Sequence, residues 1–385
     1  MRALIAFDKF KDALSAPEAC ELAMNALKQR HPNWSFDLCP LADGGDGFCE
    51  ILTRSVRGEI KRITVTGPRG EPVNACYGLV PGHKIPRGAR ALFGFEIERP
   101  PALVAVVELA TASGLALLSP EQRDPWQTTT AGTGELIMAA ARDGAEAILL
   151  GVGGSATHDL GAGVLSALGL QFVSASGERV HPPVPARWKE IAEIRGKASP
   201  RLPKIFIACD VTHPLLGPRG AAATFAPQKG LRPGELPQLE NESARMALML
   251  CAHGGGRDSL MDAPGAGAAG GTPFGLSAAA HATVLEGSTL VSAWLDLDNR
   301  LAIADVVLTG EGRFDESSLH GKGPGAIVSR ALVMGIATHV FAGEITAGHT
   351  RRGLSLHAIT SPGTPLPTAL RDTRANLAAA VSAAF

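Results

Sequence analysis

The chain has 385 residues, too many for one ordinary hydrophobic core, so two domains are expected. Hydrophobic residues make up 45% and charged residues 19%, a globular balance that excludes an intrinsically disordered chain. Lys plus Arg number 36 and Asp plus Glu 37, and the net charge of -1 gives no electrostatic reason to bind nucleic acid or an anionic membrane.

Residues 2–7 read as a short buried strand. Ser15 and Glu18 then form a capping box, with Pro17 in the permissive first turn, and Ala19, Leu22, Ala23, Ala26 and Leu27 fall on one helical face. A second strand is expected over 35–41, and a second helix carries Phe48, Ile51 and Leu52. Residues 60–66 and 73–80 are β-rich runs broken by Gly and Pro, and they read as the start of a second domain. The stretch 102–118 is apolar but interrupted by Glu108, and 263–285 is rich in Gly, Pro, Ser and His, so neither reads as a membrane span. Strands are expected at 103–107, 147–152 and 204–209, and helices at 134–142 and 238–251. The rhythm of the beginning then returns, with strands at 304–309 and 337–342, a helix at 325–334 and an amphipathic stretch over 366–385. The six cysteines include no C-x-x-C pair and read as reduced, buried thiols. The opening residues are too short and too soon charged for a signal peptide, so a cytoplasmic protein is expected.

In open α/β sheets ligands bind beyond the carboxyl ends of the strands, so the loops are where chemistry is expected. The first, Asp8-Lys9-Phe10-Lys11-Asp12, places lysines before a helix start that favours anions. The second, Ala42-Asp43-Gly44-Gly45-Asp46-Gly47, sets two carboxylates among glycines, which suits magnesium. The third runs over 151–163, where glycine amides with Ser155 and Thr157 make a phosphate cradle and Asp159 follows. Gly151, Gly153 and Ala156 also fit the G-x-G-x-x-A dinucleotide fingerprint, which keeps open a nicotinamide-dependent oxidoreductase acting on a small hydroxy acid. A fourth loop carries Asp210 and, soon after, Lys229; a fifth is the glycine run 265–271. The sixth, 309–323, is densest in charge, with Glu311, Arg313, Asp315, His320 and Lys322. It holds no Walker A motif, since Gly321-Lys322 is followed by Gly, and the chain has neither H-R-D nor D-F-G. His158, His213 and His320 lack zinc-ligand spacing and read as hydrogen-bonding loop residues. A ligand-binding regulator without catalysis would lack the acidic loop positions, yet Asp43, Asp210, Glu311 and Asp315 are all present.

Taken together and in this order, the loops resemble the bacterial glycerate kinase family. The resemblance rests on Phe10-Lys11 through Ser15-Ala16, Ala42-Asp43-Gly44-Gly45, Gly153-Gly154-Ser155-Ala156-Thr157 with Asp159, Cys209-Asp210-Val211-Thr212, Pro227-Gln228-Lys229-Gly230, the run 265–271, and Leu308-Thr309-Gly310-Glu311-Gly312-Arg313 with Asp315 and Gly321-Lys322. It implies two α/β domains, one a discontinuous Rossmann-like parallel sheet with the other inserted, drawn here as 1–60 with 288–385, and 61–287. It also implies ATP-dependent phosphorylation of D-glycerate with magnesium, usually at the 2-hydroxyl, in a cleft between the domains. Small-molecule partners, glycerate and ATP, are therefore expected, and neither nucleic acid nor membrane. Asp12 and Leu160 stand where the family usually has Gly, Asp46 where it has Glu, and His158 and His213 where it has Asn.

Phosphoryl transfer to an alcohol needs a carboxylate near the attacking hydroxyl and cations around the migrating group. Asp43 and Asp210 are candidates for metal or base, and Lys9, Lys11 and Lys229 for phosphate contact. Arg313 suits the substrate carboxylate, with Glu311 or Asp315 orienting it. Ser155 and Thr157 are expected at nucleotide phosphates, and Asp8, Asp159 and Lys322 complete the binding set.

Overall fold

The computed structural model describes residues 1–94, 102–315, 318, 323–346 and 351–385. In chain order the strands are β1 (Arg2–Phe7), β2 (Ser35–Leu38), β3 (Glu59–Thr66), β4 (Pro72–Pro81), β5 (Leu103–Glu108), β6 (Ala145–Gly151), β7 (Gln171–Val173), β8 (Glu193–Arg195), β9 (Lys204–Ala208), β10 (Thr283–Leu285), β11 (Val306–Phe314), β12 (Ala337–Ile345) and β13 (Leu354–Ala358). The helices are α1 (Ala16–Arg30), α2 (Phe48–Ser55), α3 (Arg87–Leu92), α4 (Ala110–Ser113), α5 (Ala131–Arg142), α6 (Ala162–Ala167), α7 (Ala221–Phe225), α8 (Leu236–Gly254), α9 (Thr272–Ala280), α10 (Gly287–Trp294), α11 (Leu297–Ala302), α12 (Gly323–Val333) and α13 (Leu366–Ala384).

Residue contacts divide the chain into two units: Met1–Asp43 with Val291–Phe385, and Gly44–Leu290. The sequence-drawn division fell at 60/61 and 287/288. The difference at the first boundary is α2, whose buried face of Phe48, Cys49, Ile51 and Leu52 packs on β4 and β5.

The first unit is a five-stranded parallel sheet in the order β13-β12-β11-β1-β2, so the α/β class and parallel sheet expected from the sequence hold. Its core joins the buried faces of β1, β11 and α1 with Phe341, Leu377 and Val381. The capping box of α1 is present: the Glu18 amide donates to Ser15 Oγ at 3.4 Å and the Ser15 amide to Glu18 Oε2 at 3.0 Å. β11 is longer than expected. Residues 310–314, which read as loop because they carry two glycines and two charges, continue the strand and pair with β12 as far as Phe314 against Ile345.

The second unit is a six-stranded sheet in the order β10-β9-β6-β5-β4-β3, parallel from β10 to β5 and antiparallel at β4 and β3. β5 and β6 are apolar almost throughout, as strands covered on both faces must be. Among the described residues no helix is long and apolar enough to cross a membrane.

Candidate active site

In the first unit β1 and β11 lie side by side, and the chain leaves them in opposite directions, to β2 on one side and to β12 on the other. This is the topological switch point of an open parallel sheet, where the strand ends leave a crevice. Asp8 directly follows β1, and its amide donates to Gly310 O at 2.9 Å, which fixes it beside the end of β11. Glu311 is the next residue of β11. Its carboxyl is pushed up to about 7, chiefly by burial, with the nearby charges of Asp8, Asp315 and Asp43 adding to the rise and the Ser318 hydroxyl opposing it. Glu311 Oε1 is buried and has no hydrogen-bond partner among the described residues. Three sequence-predicted acids of this unit thus bear on a fourth, Glu311.

Arg313 is 61% exposed at its side chain and lies 3.5 Å from Asp315 Oδ2 and 3.7 Å from Glu344 Oε2. Of the two acids expected to orient it, Glu311 and Asp315, Asp315 lies beside it; Glu344, on β12, was not expected, and the β11–β12 pairing of Arg313 with Glu344 reveals it. Lys11 is exposed, and the Lys9 amide donates to Asp8 Oδ1 at 2.7 Å. A Cβ built on Gly323 would lie 3.5 Å from Asp8 Oδ2, so the start of α12 approaches Asp8. Lys322 and His320 lie outside the described residues.

In the second unit the loop after β6 is organised by Asp159. Its Oδ2 accepts from the Thr130 amide and hydroxyl, both at 2.8 Å, and from the Gly163 amide at 3.1 Å; its Oδ1 accepts from the Gly161 amide at 3.1 Å. Burial raises its carboxyl above the usual range despite these donors. A carboxylate that collects four donors from three residues holds the loop. Thr130, missed in the sequence, is its counterpart. Lys229, expected as a phosphate contact, is 2% exposed, and its Nζ donates to Ser155 Oγ and to Thr157 O, both at 2.7 Å. Burial lowers its amine to about 7, against the opposing pull of Asp159. It therefore braces the 153–157 loop from within. Ser155 is buried, and Thr157 is fully buried with its hydroxyl unpartnered among the described residues. His158 is fully buried, with Nε2 3.0 Å from Ser243 Oγ, and His213 packs edgewise on Phe225.

This loop does not behave as a dinucleotide fingerprint. That motif runs from strand straight into helix so that the amides meet a pyrophosphate. Here α6 starts only at Ala162, well after Ala156, and Gly153 is occupied by backbone: a Cβ there would lie 2.6 Å from Gly45 Cα. Asp210, two residues past β9, accepts from the Ser288 amide at 2.9 Å and so sits against the first turn of α10.

Among the described residues no three His, Cys, Asp or Glu side chains form a group that could hold a metal ion alone. Magnesium does not require one, since it keeps several waters and takes one or two carboxylates plus substrate phosphates. The acids gathered around Glu311, Asp8 and Asp43 among them, are of the type such a cation takes.

The model of the glycerate kinase family matches residues 3–385. The chain belongs to the glycerate kinase family. Relatives include the glycerate kinase of Bacillus subtilis, 37% identical over 90% of this chain and 86% of its own length, and that of Halalkalibacterium halodurans, 36% identical over the same shares. The glycerate 2-kinase of Escherichia coli is 36% identical over 88% of this chain and 85% of its own length. A crystal structure described as that of a "putative glycerate kinase 2" from Salmonella typhimurium LT2 superposes with a TM-score of 0.79 at 34% identity, covering 100% of this chain and 97% of the other. Members of the glycerate kinase family are phosphotransferases, and none of these comparisons supports the oxidoreductase alternative.

Proposed function

We propose that this chain transfers the γ-phosphoryl group of ATP to D-glycerate, forming 2-phosphoglycerate and ADP. The observation that carries the reading is the family match across residues 3–385, and the acid-lined switch-point crevice of the first unit supports it with chemistry.

An alcohol attacks poorly until its proton has an acceptor. Glu311 is the group suited to take it: its carboxyl, pushed up to about 7, can act as a base near neutrality, and its Oε1 has no hydrogen-bond partner among the described residues. As the hydroxyl oxygen bonds to the γ-phosphorus, the bond to the ADP oxygen breaks and the hydroxyl proton passes to Glu311. Arg313, exposed and already oriented by Asp315 and Glu344, receives the substrate carboxylate. Lys9 and Lys11, ahead of α1, neutralise phosphate charge, and the glycine-rich loop with Ser155 serves the nucleotide phosphates. Magnesium, when bound, neutralises charge on the phosphate oxygens. Asp43, assisted by Asp8, would hold it, and Asp210 remains the second candidate from the acidic loops.

Incubation with ATP, magnesium and D-glycerate, followed by ADP release and phosphorus NMR, tests the reading. A doublet from phosphate on the 2-carbon is expected. Absence of glycerate-dependent ADP would overturn the assignment, and a 3-phosphate product would correct its position.

A further inference from the structure

Among the described residues of the second unit Glu108 and Asp159 are buried acids; Asp159 holds the loop after β6, and Glu108 has no part in the scheme above. It ends β5 and is 4% exposed. Its Oε2 accepts from the Cys49 amide at 3.1 Å, and the Gly47 amide is a second donor to the carboxylate. Gly47 is the N-cap residue of α2, has φ 88°, and supplies no side-chain cap of its own. A helix start leaves amides without partners, and here an acid from a neighbouring strand accepts them.

The same strand end organises the two glycine loops. Glu108 pairs in register with Gly151, the Leu109 amide donates to Gly151 O at 2.9 Å, and the Gly153 amide donates to Gly44 O at 2.9 Å. A Cβ on Gly151 would lie 2.7 Å from Gly44 O, and one on Gly154 would lie 3.1 Å from Asp46 Oδ1. The loop 44–47 is thus laid backbone to backbone on the loop 151–154. The exposed Asp46 carboxylate lies over the second loop where a side chain is missing. What keeps 44–47 in that course is its far end, where Glu108 holds the first turn of α2.

We propose that Glu108 is a positioning residue for phosphoryl transfer: by capping α2 from β5 it fixes loop 44–47, and with it Asp46, against the glycine loop 151–154. This rests on the kinase reading above for its catalytic consequence, but not for its structural one. Burial raises the carboxyl's pKa, as do Asp46 and the Cys76 thiol, while the Gly47 and Cys49 amides lower it.

The test uses Glu108→Gln, which keeps one acceptor oxygen, and Glu108→Ala, which keeps none. Amide hydrogen exchange over 44–50 and steady-state kinetics with ATP and D-glycerate are read on the full chain. Exchange at Gly47 and Cys49 is expected to quicken at least tenfold in the alanine variant and less in the glutamine variant. The value of kcat is expected to fall about 10–100-fold in the same order, with both KM values within about threefold of wild type. A residue serving stability alone would lower the melting temperature and leave kcat intact. Unchanged exchange in the glutamine variant together with unchanged kcat overturns the proposal, as does quickened exchange with wild-type kcat. If the wild-type chain does not phosphorylate glycerate, the functional reading falls instead, and exchange alone decides whether Glu108 holds the loop.

Discussion

Asp12 and Leu160 adopt φ of 60° and 51°, the left-handed region that side chains disfavour. Both stand where the glycerate kinase resemblance leads one to expect Gly, so two departures read from the sequence have one physical meaning: the backbone course is kept and strain is accepted. Asp12 is exposed, and Asp→Gly there should relieve it without opening a cavity. A gain of about 0.5–1 kcal/mol in unfolding free energy is expected by urea titration, because the relief is partly offset by added freedom in the unfolded chain. Glu311 carries the stronger test. Glu311→Gln should lower kcat about 10²–10³-fold and remove an acid-side fall in kcat/KM centred near pH 7, measured from pH 5.5 to 9. A glutamine variant with wild-type turnover would exclude Glu311 as the base. Asp43, Asp210, Glu311 and Arg313 stand out in the sequence because acids and an arginine in glycine-rich segments near strand ends are chemically conspicuous. Glu108 was visible only as a lone charge inside an apolar run, and what it caps depends on contacts with residues some 60 positions earlier. Lys229 looked catalytic by type, and only burial shows that its amine is turned inward.

Elements were read best where apolar periodicity was strong. The strands β1, β5, β6 and β9 and the capping box of α1 were all visible, since each is fixed by local composition. β13 was missed because its five residues are only half-buried, so its sequence carries little apolar signal. β11 was cut short because Gly310 and Gly312 read as punctuation. In the sheet Gly310 has a different purpose: a Cβ there would lie 1.8 Å from Phe341 O, so only glycine lets β11 and β12 close at this point. The obstacle is backbone and cannot rotate away. Gly310→Ala should therefore destabilise the first unit by about 2–3 kcal/mol in denaturant titration, and because Glu311 follows directly, activity should fall further than stability alone accounts for. An alanine variant of unchanged stability would mean that the strand pair tolerates a shift the pairing register does not suggest.

For the molecule as a whole, the buried titratable groups set how stability depends on pH. On the acid side their effects oppose one another. Glu108 and Glu311, raised to about 7, favour folding most below their ordinary value of 4.5 and lose that contribution as pH rises through about 7. His158, lowered to about 3, and His339, lowered to about 4, contribute above 6.5 and lose it as pH falls through those values. Little net slope is expected between pH 4.5 and 6.5. The window from pH 7 to 9 is cleaner. The raised thiols of Cys20 and Cys39 begin to matter only above 9, and Tyr77 only above 10. Within it Lys229 is the group lowered furthest, and the Cys76 thiol, lowered from its ordinary 9, adds in the same direction. Its folded value of about 7 lies below the ordinary 10.5, so the unfolded chain binds a proton that the folded chain does not. Its contribution to stability is complete above 10.5 and is lost as pH falls through about 7, so the folded state gains as pH rises across the window. One proton of difference is worth about 1.4 kcal/mol per pH unit, hence on the order of 2 kcal/mol between pH 7 and 9. Urea midpoints of the wild-type chain should climb over that interval. Lys229→Met, which cannot bind the proton in either state, should flatten the climb whatever its absolute stability. A methionine variant that keeps the wild-type slope would show that the amine stays charged in the folded protein, with Ser155 and Thr157 stabilising an ammonium in a site where burial alone would discharge it.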